Sequence, residues 1–430
     1  MNYPDSVQFL YALGNEIKTA KLGLERTQTL LEALGRPQDR TSFVHVAGTN
    51  GKGSTCAMIE SGLRAQGRRT GLFTSPHLAG PTERIALDGR PISPARFSRA
   101  FDRVHLAVEE LLAADAIDLH TTYFETVTAM ALLVFAEEQV DLAVLEVGLG
   151  GRLDATNVVM PELCVITPVD FDHEAFLGRS LESIAGEKAG ILKSGVPAVF
   201  ARQRPEVQAV LDRRAAELSV PVARTSDWSV QQLELHARGS RFLLKRELHG
   251  RHELRIVCPL AGEHQAGNAV TAAVALTRLG VSGAAIEAGI AQARWPGRLE
   301  HVSAHPEIIL DGAHNPAGAR ALAAYIERFY AQRRVRLIYG AMRDKAIDEI
   351  SGILFPLAHQ VVVTAPRQAR ALSPEAMRQI ASHPALSVAP ALADALEMMG
   401  DATPEDVIFI TGSLFLVAEA RAILLPSGLL

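Results

Sequence analysis

From Phe43 onward the chain alternates short apolar runs with stretches of helical periodicity. "FVHVAG" is followed by "GSTCAMIESGLRAQG" and then by "RRTGLFTSP", a strand, helix, strand order that predicts a parallel α/β sheet. In the middle stretch Met58, Ile59 and Leu63 are spaced to share one helical face, and Gly67 stands where that helix should end. The runs "DLAVLEVGLGG", "LCVITPVD" and "VPAVFA" lack polar alternation, which predicts strands covered on both faces. Between Trp228 and Leu260 the pattern changes. "LELHARG", "RFLLKRE" and "ELRIVCPL" partly alternate and are separated by Gly or charged turns, so a small antiparallel meander is expected there. "ARWPGRLEHVSAHPEIILDGAHNPAGARALAAYI" then restarts the α/β rhythm, with "VRLIYG", "QVVVTAP" and "DVIFITGS" as later strands.

Length turns this rhythm into two domains, because 430 residues exceed what one core comfortably serves and 48% hydrophobic content is enough for two. The expected boundary lies near Pro296. A larger, mostly parallel P-loop-type sheet domain with the meander would span 1–296, and a smaller Rossmann-like α/β domain 297–430. No fixed-period repeat or low-complexity linker occurs, so a short hinge should join them. A formal charge of −5 without any block of lysines or arginines excludes the footprint of a nucleic-acid or anionic-membrane binder and points to small-molecule partners. Cys56, Cys164 and Cys258 lie far apart with no CxxC pair, so buried thiols are expected rather than disulfides or a structural metal site. "MNYPDSVQFLYALGNEIK" carries acids early, and nowhere do about eighteen apolar residues run together. A cytoplasmic protein is expected, with a monomer as the default.

The candidate chemistry begins at "VHVAGTNGKGST". Gly48, Gly51 and Gly53 permit a tight turn with inward-pointing amides, and Lys52 adds a positive charge where the next helix starts. Such a nest fits a polyphosphate, although the first glycine stands closer to the GK pair than in the common GxxxxGKS/T form and Gly53 intervenes before Ser54. A Gly-rich structural turn is the alternative. "FTSPHL" places Ser75 and His77 at the carboxyl end of the next strand, where ligands gather in open α/β sheets. Glu146 interrupts an apolar strand, which calls either for a metal ion or for a salt bridge to lysine or arginine. After the following strand, Asp170, Asp172 and His173 crowd the same edge, and together these groups favour a magnesium site completed by phosphate oxygens. Lys188, beside Glu187 in "SIAGEKAGILKSG", reads by composition as a surface lysine.

Taken together, these residues resemble the folylpolyglutamate synthase and dihydrofolate synthase family, within the Mur ligase superfamily of ATP-dependent amide ligases. The resemblance covers nearly the whole chain. In order it includes "LGLERTQTLLEALGRP", "HVAGTNGKGS", "TSPHL" with "ERI", "TYFETVTAMAL", "LEVGLGGRLDATN", "DHEAFLG", "IAGEKAGILK", "GEHQAGNA", "WPGRLE", "DGAHNPAG" and "TGSLFLV". It implies that Lys52 and the amides of Gly48, Thr49, Asn50, Gly51, Gly53 and Ser54 hold the ATP phosphates, with Asn268, Arg298, Asp311 and His314 as further nucleotide contacts. Ser75, Glu146 and His173 would ligate magnesium. Lys188 matches a position carrying a carbamate, an anion able to hold a second magnesium ion, which reverses its reading as a surface group. Leu24, Glu25 and Arg26, Tyr123, Phe124 and Glu125, and Leu153, Asp154 and Ala155 match segments facing the pterin. "LAGPTERI" departs from the usual pattern, as does Asp170, and "AMRDKAID" with Arg343, Asp344 and Lys345 reads as a loop without assigned chemistry.

The implied reaction joins L-glutamate to a pteroate or folate carboxylate through an acyl phosphate, with ADP and phosphate released and both activities expected in one protein. Catalysis would rest on Lys52, His173 and Lys188, with two domains closing over ATP to exclude water. Two other readings are a cell-wall Mur ligase, which would place an N-terminal uridine-nucleotide domain of around a hundred residues ahead of the phosphate loop, and a nucleotide-binding regulator that switches without turnover.

Overall fold

The computed structural model describes residues 1–13, 23–246 and 252–425. Two compact units emerge that do not divide at a single point: Met1–Gln231, Leu243–Ile256 and Asn268–Ala293 form the first, and Gln232–Phe242, Val257–Gly267 and Arg294–Leu430 the second. Parts of the meander thus belong to each.

The first unit is built on an eight-stranded sheet of β1 (Ser42–Ala47), β2 (Thr70–Phe73), β3 (Ile85–Leu87), β4 (Arg90–Pro91), β5 (Leu142–Glu146), β6 (Leu163–Ile166), β7 (Ala198–Phe200) and β8 (Val222–Arg224), in the order β4-β3-β2-β5-β1-β6-β7-β8. In the order β2-β5-β1-β6-β7-β8 every pairing is parallel, and only β3 runs against the sheet, antiparallel to both β2 and β4. Val44 lies opposite Val144 on one side and Leu163 on the other. These unbroken apolar runs are strands with both faces covered, as their lack of alternation predicts.

The helix Lys52–Ala65 follows β1, and Gly67, at a φ of 88°, turns the chain out of it. It differs from its one-face pattern, since Gly53 to Leu63 are all buried. Its second covered face meets the helix Gly283–Gln292 backbone to backbone. A Cβ on Gly289 would lie 2.4 Å from Gly62 Cα, and Ser61 Oγ donates to the Gly289 carbonyl at 2.7 Å. Short residues on both helices make that approach possible, so Met58, Ile59 and Leu63 mark only part of the buried surface.

The meander is a three-stranded sheet of β9 (Ser229–His236), β10 (Gly239–Arg246) and β11 (His252–Cys258). In the second unit β12 (Glu300–Ala304), β13 (Glu307–Leu310), β14 (Arg334–Tyr339), β15 (Gln360–Val363), β16 (Leu386–Val388) and β17 (Asp406–Thr411) pair in the order β12-β13-β17-β14-β15-β16. Only β12 is antiparallel. Its core is aromatic: Tyr330 stands edge-on to Phe409 at 5.5 Å and Tyr339 edge-on to Phe355 at 5.4 Å. Cys56, Cys164 and Cys258 are free and buried. Among the described residues, no helix is long and apolar enough to cross a membrane.

Candidate active site

The order β2-β5-β1-β6 places four strand ends side by side, so the segments after them share one edge of the sheet. After β1 the chain enters Gly48 at φ +149°, where a Cβ would lie 1.8 Å from Thr167 Oγ1. Gly51, at φ +83°, would drive a Cβ to 2.3 Å from Asn268 Oδ1. Only glycine combines those angles with such close neighbours. Gly51 is also the N-cap of the helix Lys52–Ala65 and offers no side-chain cap, which leaves that helix start suited to an anion. The amides of Thr49 and Asn50, expected to face phosphate, donate instead to the Pro168 carbonyl at 3.0 and 3.2 Å. They pin the loop to the segment after β6, reinforced by Thr49 Oγ1, which donates to the Asp170 carbonyl at 2.9 Å.

Two lysines meet at this loop. Lys52 Nζ donates to the carbonyls of Gly48 at 3.1 Å and Thr49 at 3.2 Å, and Lys188 Nζ donates to the same Gly48 carbonyl at 2.9 Å. Lys188 lies on the helix Leu181–Ala189 and is only 4% exposed, which overturns its reading as a surface lysine. Glu187 is not its partner, for that carboxylate pairs with Arg152 at 2.9 Å. Burial, and after it the charge of Lys52, pushes the Lys188 amine down to about 7 against the opposing pull of Asp172 and Asp154.

Glu146, the last residue of β5, is buried, and its Oε2 accepts from the Ser75 amide at 3.0 Å. The loop after β2 is thereby held against the end of β5, which brings Ser75 alongside the carboxylate. His173 takes a left-handed conformation, φ 52° and ψ 37°, ahead of the helix Glu174–Leu177, and its Nε2 lies 3.8 Å from Asp172 Oδ1. The oxygen donors of Ser75 and Glu146 fit a magnesium ion, and the His173 imidazole is the softer member of the set. Asp170 does not join them. Its carboxylate accepts from the Phe171 amide at 2.9 Å and pairs with Arg204 at 3.4 Å.

A second cluster forms around the helix Tyr123–Glu137. Thr122 and Glu125 make its capping box, and Glu125 takes a two-pronged bond from Arg26, both contacts at 3.0 Å, with side-chain exposures of only 12% and 9%. Leu24 is half-buried at the N-cap of the helix Glu25–Ala33, and Glu25 beside it is exposed. Tyr11 stacks on Tyr123 at 5.9 Å, and the Arg84 guanidinium lies 4.9 Å from the same ring centre. Arg84 Nε also donates to His77 Nδ1 at 2.9 Å. Burial, then Arg84, holds His77 down at about 3, so it is a neutral imidazole whose Nε2–H faces Tyr11 Oη at 3.1 Å. Phe124 packs against Gly148, where a Cβ would come within 2.6 Å of the ring.

Asp154, matched to the pterin side, is occupied otherwise. It accepts from the amides of Gly148, Leu149 and Thr156 and from the Thr156 hydroxyl, and so folds the loop after β5. Leu153 is half-buried and Ala155 buried beside it. Glu83, to which the sequence assigned no role, gathers the amides of Leu78, Ala79 and Gly80 at 2.8, 2.8 and 3.1 Å. "LAGPTERI" is therefore an ordered turn. Its one readable signal is an acid three residues after a glycine turn.

Within the first unit Asn268 abuts Gly51, as noted. Within the second, Asp311 accepts from the amides of Leu299 and Ala313; burial raises its carboxyl, with Arg298 opposing. Arg298 packs against Gly312, where a Cβ would meet its Nη1 at 2.7 Å. His314 Nδ1 donates to the Gly312 carbonyl at 2.8 Å.

A glycine-rich strand-to-helix turn with a buried lysine beside it, on this sheet order, defines a ligase of the Mur type, and the Mur ligase middle domain matches residues 46–276 and the Mur glutamate ligase domain residues 297–414. A dihydrofolate synthase/folylpolyglutamate synthase of Mycobacterium tuberculosis is 38% identical over 93% of this chain and 89% of its own. A folylpolyglutamate synthase of Lacticaseibacillus casei is 36% identical over 99% of both. Among solved structures, M. tuberculosis folylpolyglutamate synthase complexed with ADP and AMPPCP superposes with a TM-score of 0.91 at 36% identity, covering 99% of this chain and 100% of that one. Escherichia coli FolC in complex with DHPP and ADP gives 0.87 at 32%, covering 98% and 97%. The chain belongs to the folylpolyglutamate synthase/dihydrofolate synthase family, and its α/β architecture, a larger and a smaller mostly parallel sheet with a three-stranded meander, is the one the family resemblance implied.

Proposed function

We propose that the protein is an ATP-dependent ligase that joins L-glutamate to dihydropteroate and to reduced folates. The observation that carries this reading is the pair of lysines converging on the Gly48 carbonyl at the mouth of the phosphate turn, in a chain matched along nearly its whole length by enzymes of that name. In the first step a carboxylate oxygen of the pterin substrate attacks the γ-phosphorus of ATP, the bond to the bridging oxygen breaks, and ADP leaves. In the second the α-amine of glutamate attacks the acyl carbon and inorganic phosphate leaves.

Lys52 supplies positive charge at the helix start, where phosphate oxygens gather negative charge as two anions are forced together. Ser75, Glu146 and His173 would hold magnesium, which when bound neutralises phosphate charge. Lys188 is the carbamate candidate. Carbamate formation needs an uncharged amine, and an amine lowered to about 7 supplies one at neutral pH. Arg26 and Glu125 fix the start of the helix that presents Tyr123 and Phe124 to the pterin, and Asn268, Arg298, Asp311 and His314 are the remaining nucleotide contacts. We further read the functional division as 1–296 and 297–430 and the protein as a cytoplasmic monomer.

Purified protein incubated with ATP, magnesium and labelled glutamate should transfer label to dihydropteroate and to tetrahydrofolate, with ADP formed in step. Label on only one acceptor would remove the dual activity. ADP release indifferent to both pterin and glutamate would remove the ligase reading altogether.

A further inference from the structure

Among the described residues one group of histidine and acidic side chains converges closely enough to share an ion, and the ligase reaction makes no use of it. His105 and Glu109 stand one turn apart on the helix Pro94–Ala113, and His120 lies in the segment leading to the helix Tyr123–Glu137. One ligand atom from each falls within 4.8 Å of the other two. His105 Nδ1 and His120 Nε2 are each 3.9 Å from Glu109 Oε1, and both nitrogens are buried without a hydrogen-bond partner.

The tautomer of His120 follows from its neighbour. Its Nδ1 is 2.8 Å from the Thr121 backbone carbonyl, which can only accept, so Nδ1 carries a hydrogen and the neutral ring presents its lone pair at Nε2. That lone pair faces a carboxylate oxygen, also an acceptor, at a separation too long for a shared hydrogen bond. A cation between them satisfies both. Donation of the far ring N–H to a carbonyl is also how proteins orient metal-bound imidazoles. The rings are held in place: Phe9 meets His105 at 4.6 Å and His120 at 5.5 Å, and Phe101 stacks on His105 at 5.4 Å.

We propose that His105, Glu109 and His120 form a structural site for a zinc-class divalent cation. Two imidazoles and a carboxylate suit zinc far better than magnesium. Ligands of a tetrahedral zinc ion stand about 3.4 Å apart, so the two His–Glu separations close by about half an ångström, and the imidazole pair, which lies within 4.8 Å, by at most about 1.4 Å when an ion enters. Glu109, with its side chain 54% exposed, makes its part of that movement freely, the partly exposed imidazoles tilt toward each other for the rest, and water from the Glu109 side completes the coordination. The ion ties the helix Pro94–Ala113 to the segment that ends in the Thr122 cap, and so braces the entry to the Arg26–Glu125 pair.

The test is titration of EDTA-treated full-length protein with cobalt(II) chloride, in the presence of excess magnesium and a non-hydrolysable ATP analogue. One equivalent should give the visible bands of four-coordinate cobalt, zinc chloride should abolish them, and zinc alone should raise Tm by about 3 °C or more. His120→Ala should lose the bands, and the exposed substitution Glu109→Gln, which disturbs no core packing, should weaken binding at least tenfold. His173→Ala should keep them. Absence of the bands in the parent, their survival in both His120→Ala and Glu109→Gln, or their loss in His173→Ala alone would each overturn the proposal.

Discussion

Lys188 concentrates the residue-scale argument. A lysine pushed from its ordinary value down to about 7 binds fewer protons folded than unfolded between pH 7 and its ordinary range, so its burial costs stability at neutral pH and the cost fades as pH rises. In CO2-free buffer Lys188→Met should therefore be at least as resistant to urea at pH 7 as the parent. The same substitution should cut glutamate ligation by about a hundredfold or more, the scale of a lost charge at a phosphoryl-transfer centre. For the parent, activity should drop as pH falls below 7 in CO2-free buffer and recover when bicarbonate is added, with the carbamate carbon visible by 13C NMR after labelled bicarbonate. Activity that ignored bicarbonate would remove the carbamate. Arg26 and Glu125 invite the opposite test. Their carboxylate and guanidinium are nearly buried, so Arg26→Met strands a charge and should cost about 3 kcal/mol in urea unfolding, with KM for the pterin rising alongside.

At the scale of elements, legibility in the sequence follows burial. β1, β5 and β6 were readable because a strand covered on both faces leaves an unbroken apolar run. β8 and β16 were not: each is a three-residue strand at a sheet edge and only partly buried, so neither run length nor alternation marks it. The phosphate turn was visible through its glycines, but the use of the Thr49 and Asn50 amides on Pro168 depends on a neighbouring strand end that no local pattern encodes. Charge misled at Lys188, because a lone lysine ordinarily marks surface, and Glu83 escaped because it grips backbone amides rather than a side-chain partner. Two substitutions probe these turns. Gly51→Ala places a methyl against Asn268 at a positive φ and should raise KM for ATP at least tenfold, as nucleotide-dependent turnover would report. Glu83→Ala leaves the Leu78, Ala79 and Gly80 amides without their acceptor and should cost about 1–3 kcal/mol in the same unfolding assay.

Over the whole molecule, imidazoles held below their ordinary value shape the response to acid, and they differ in burial: His45 is fully buried, His77 and His301 are half-buried and His264 is exposed. His45 and His77 lie in the first unit and His264 and His301 in the second. Burial, and after it Lys193 at His45 and Arg84 at His77, holds the first-unit pair at about 3. His45 and His77 stay neutral when folded but take up a proton when unfolded below the ordinary value, so stability is level above about pH 6.5 and declines as pH falls toward the folded value, by roughly 2 kcal/mol for the fully buried His45 at pH 5. His45 is the clearest case: the Thr156 hydroxyl donates to Asp154, so His45 Nε2–H donates to Thr156 at 2.8 Å, and any added proton must go to a buried Nδ1 that has no partner. The ion pair of Arg336 with Asp406 in the second unit does not titrate in this window. Burial raises the Asp406 carboxyl, but Thr403 and Arg336 outweigh it and hold it below the usual range, so its contribution is lost only at lower pH. Trp228 belongs to the first unit and Trp295 to the second, so Trp228 emission reports on the unit that holds His45 and His77. In Trp295→Phe, urea unfolding followed by Trp228 emission should shift to a lower midpoint as pH falls from 7 to 5, by roughly 2 kcal/mol or more. An unchanged Trp228 midpoint would mean that His45 and His77 take up protons as readily folded as unfolded, and His77→Gln, which leaves His45 untouched, should reduce the shift only if His77 contributes.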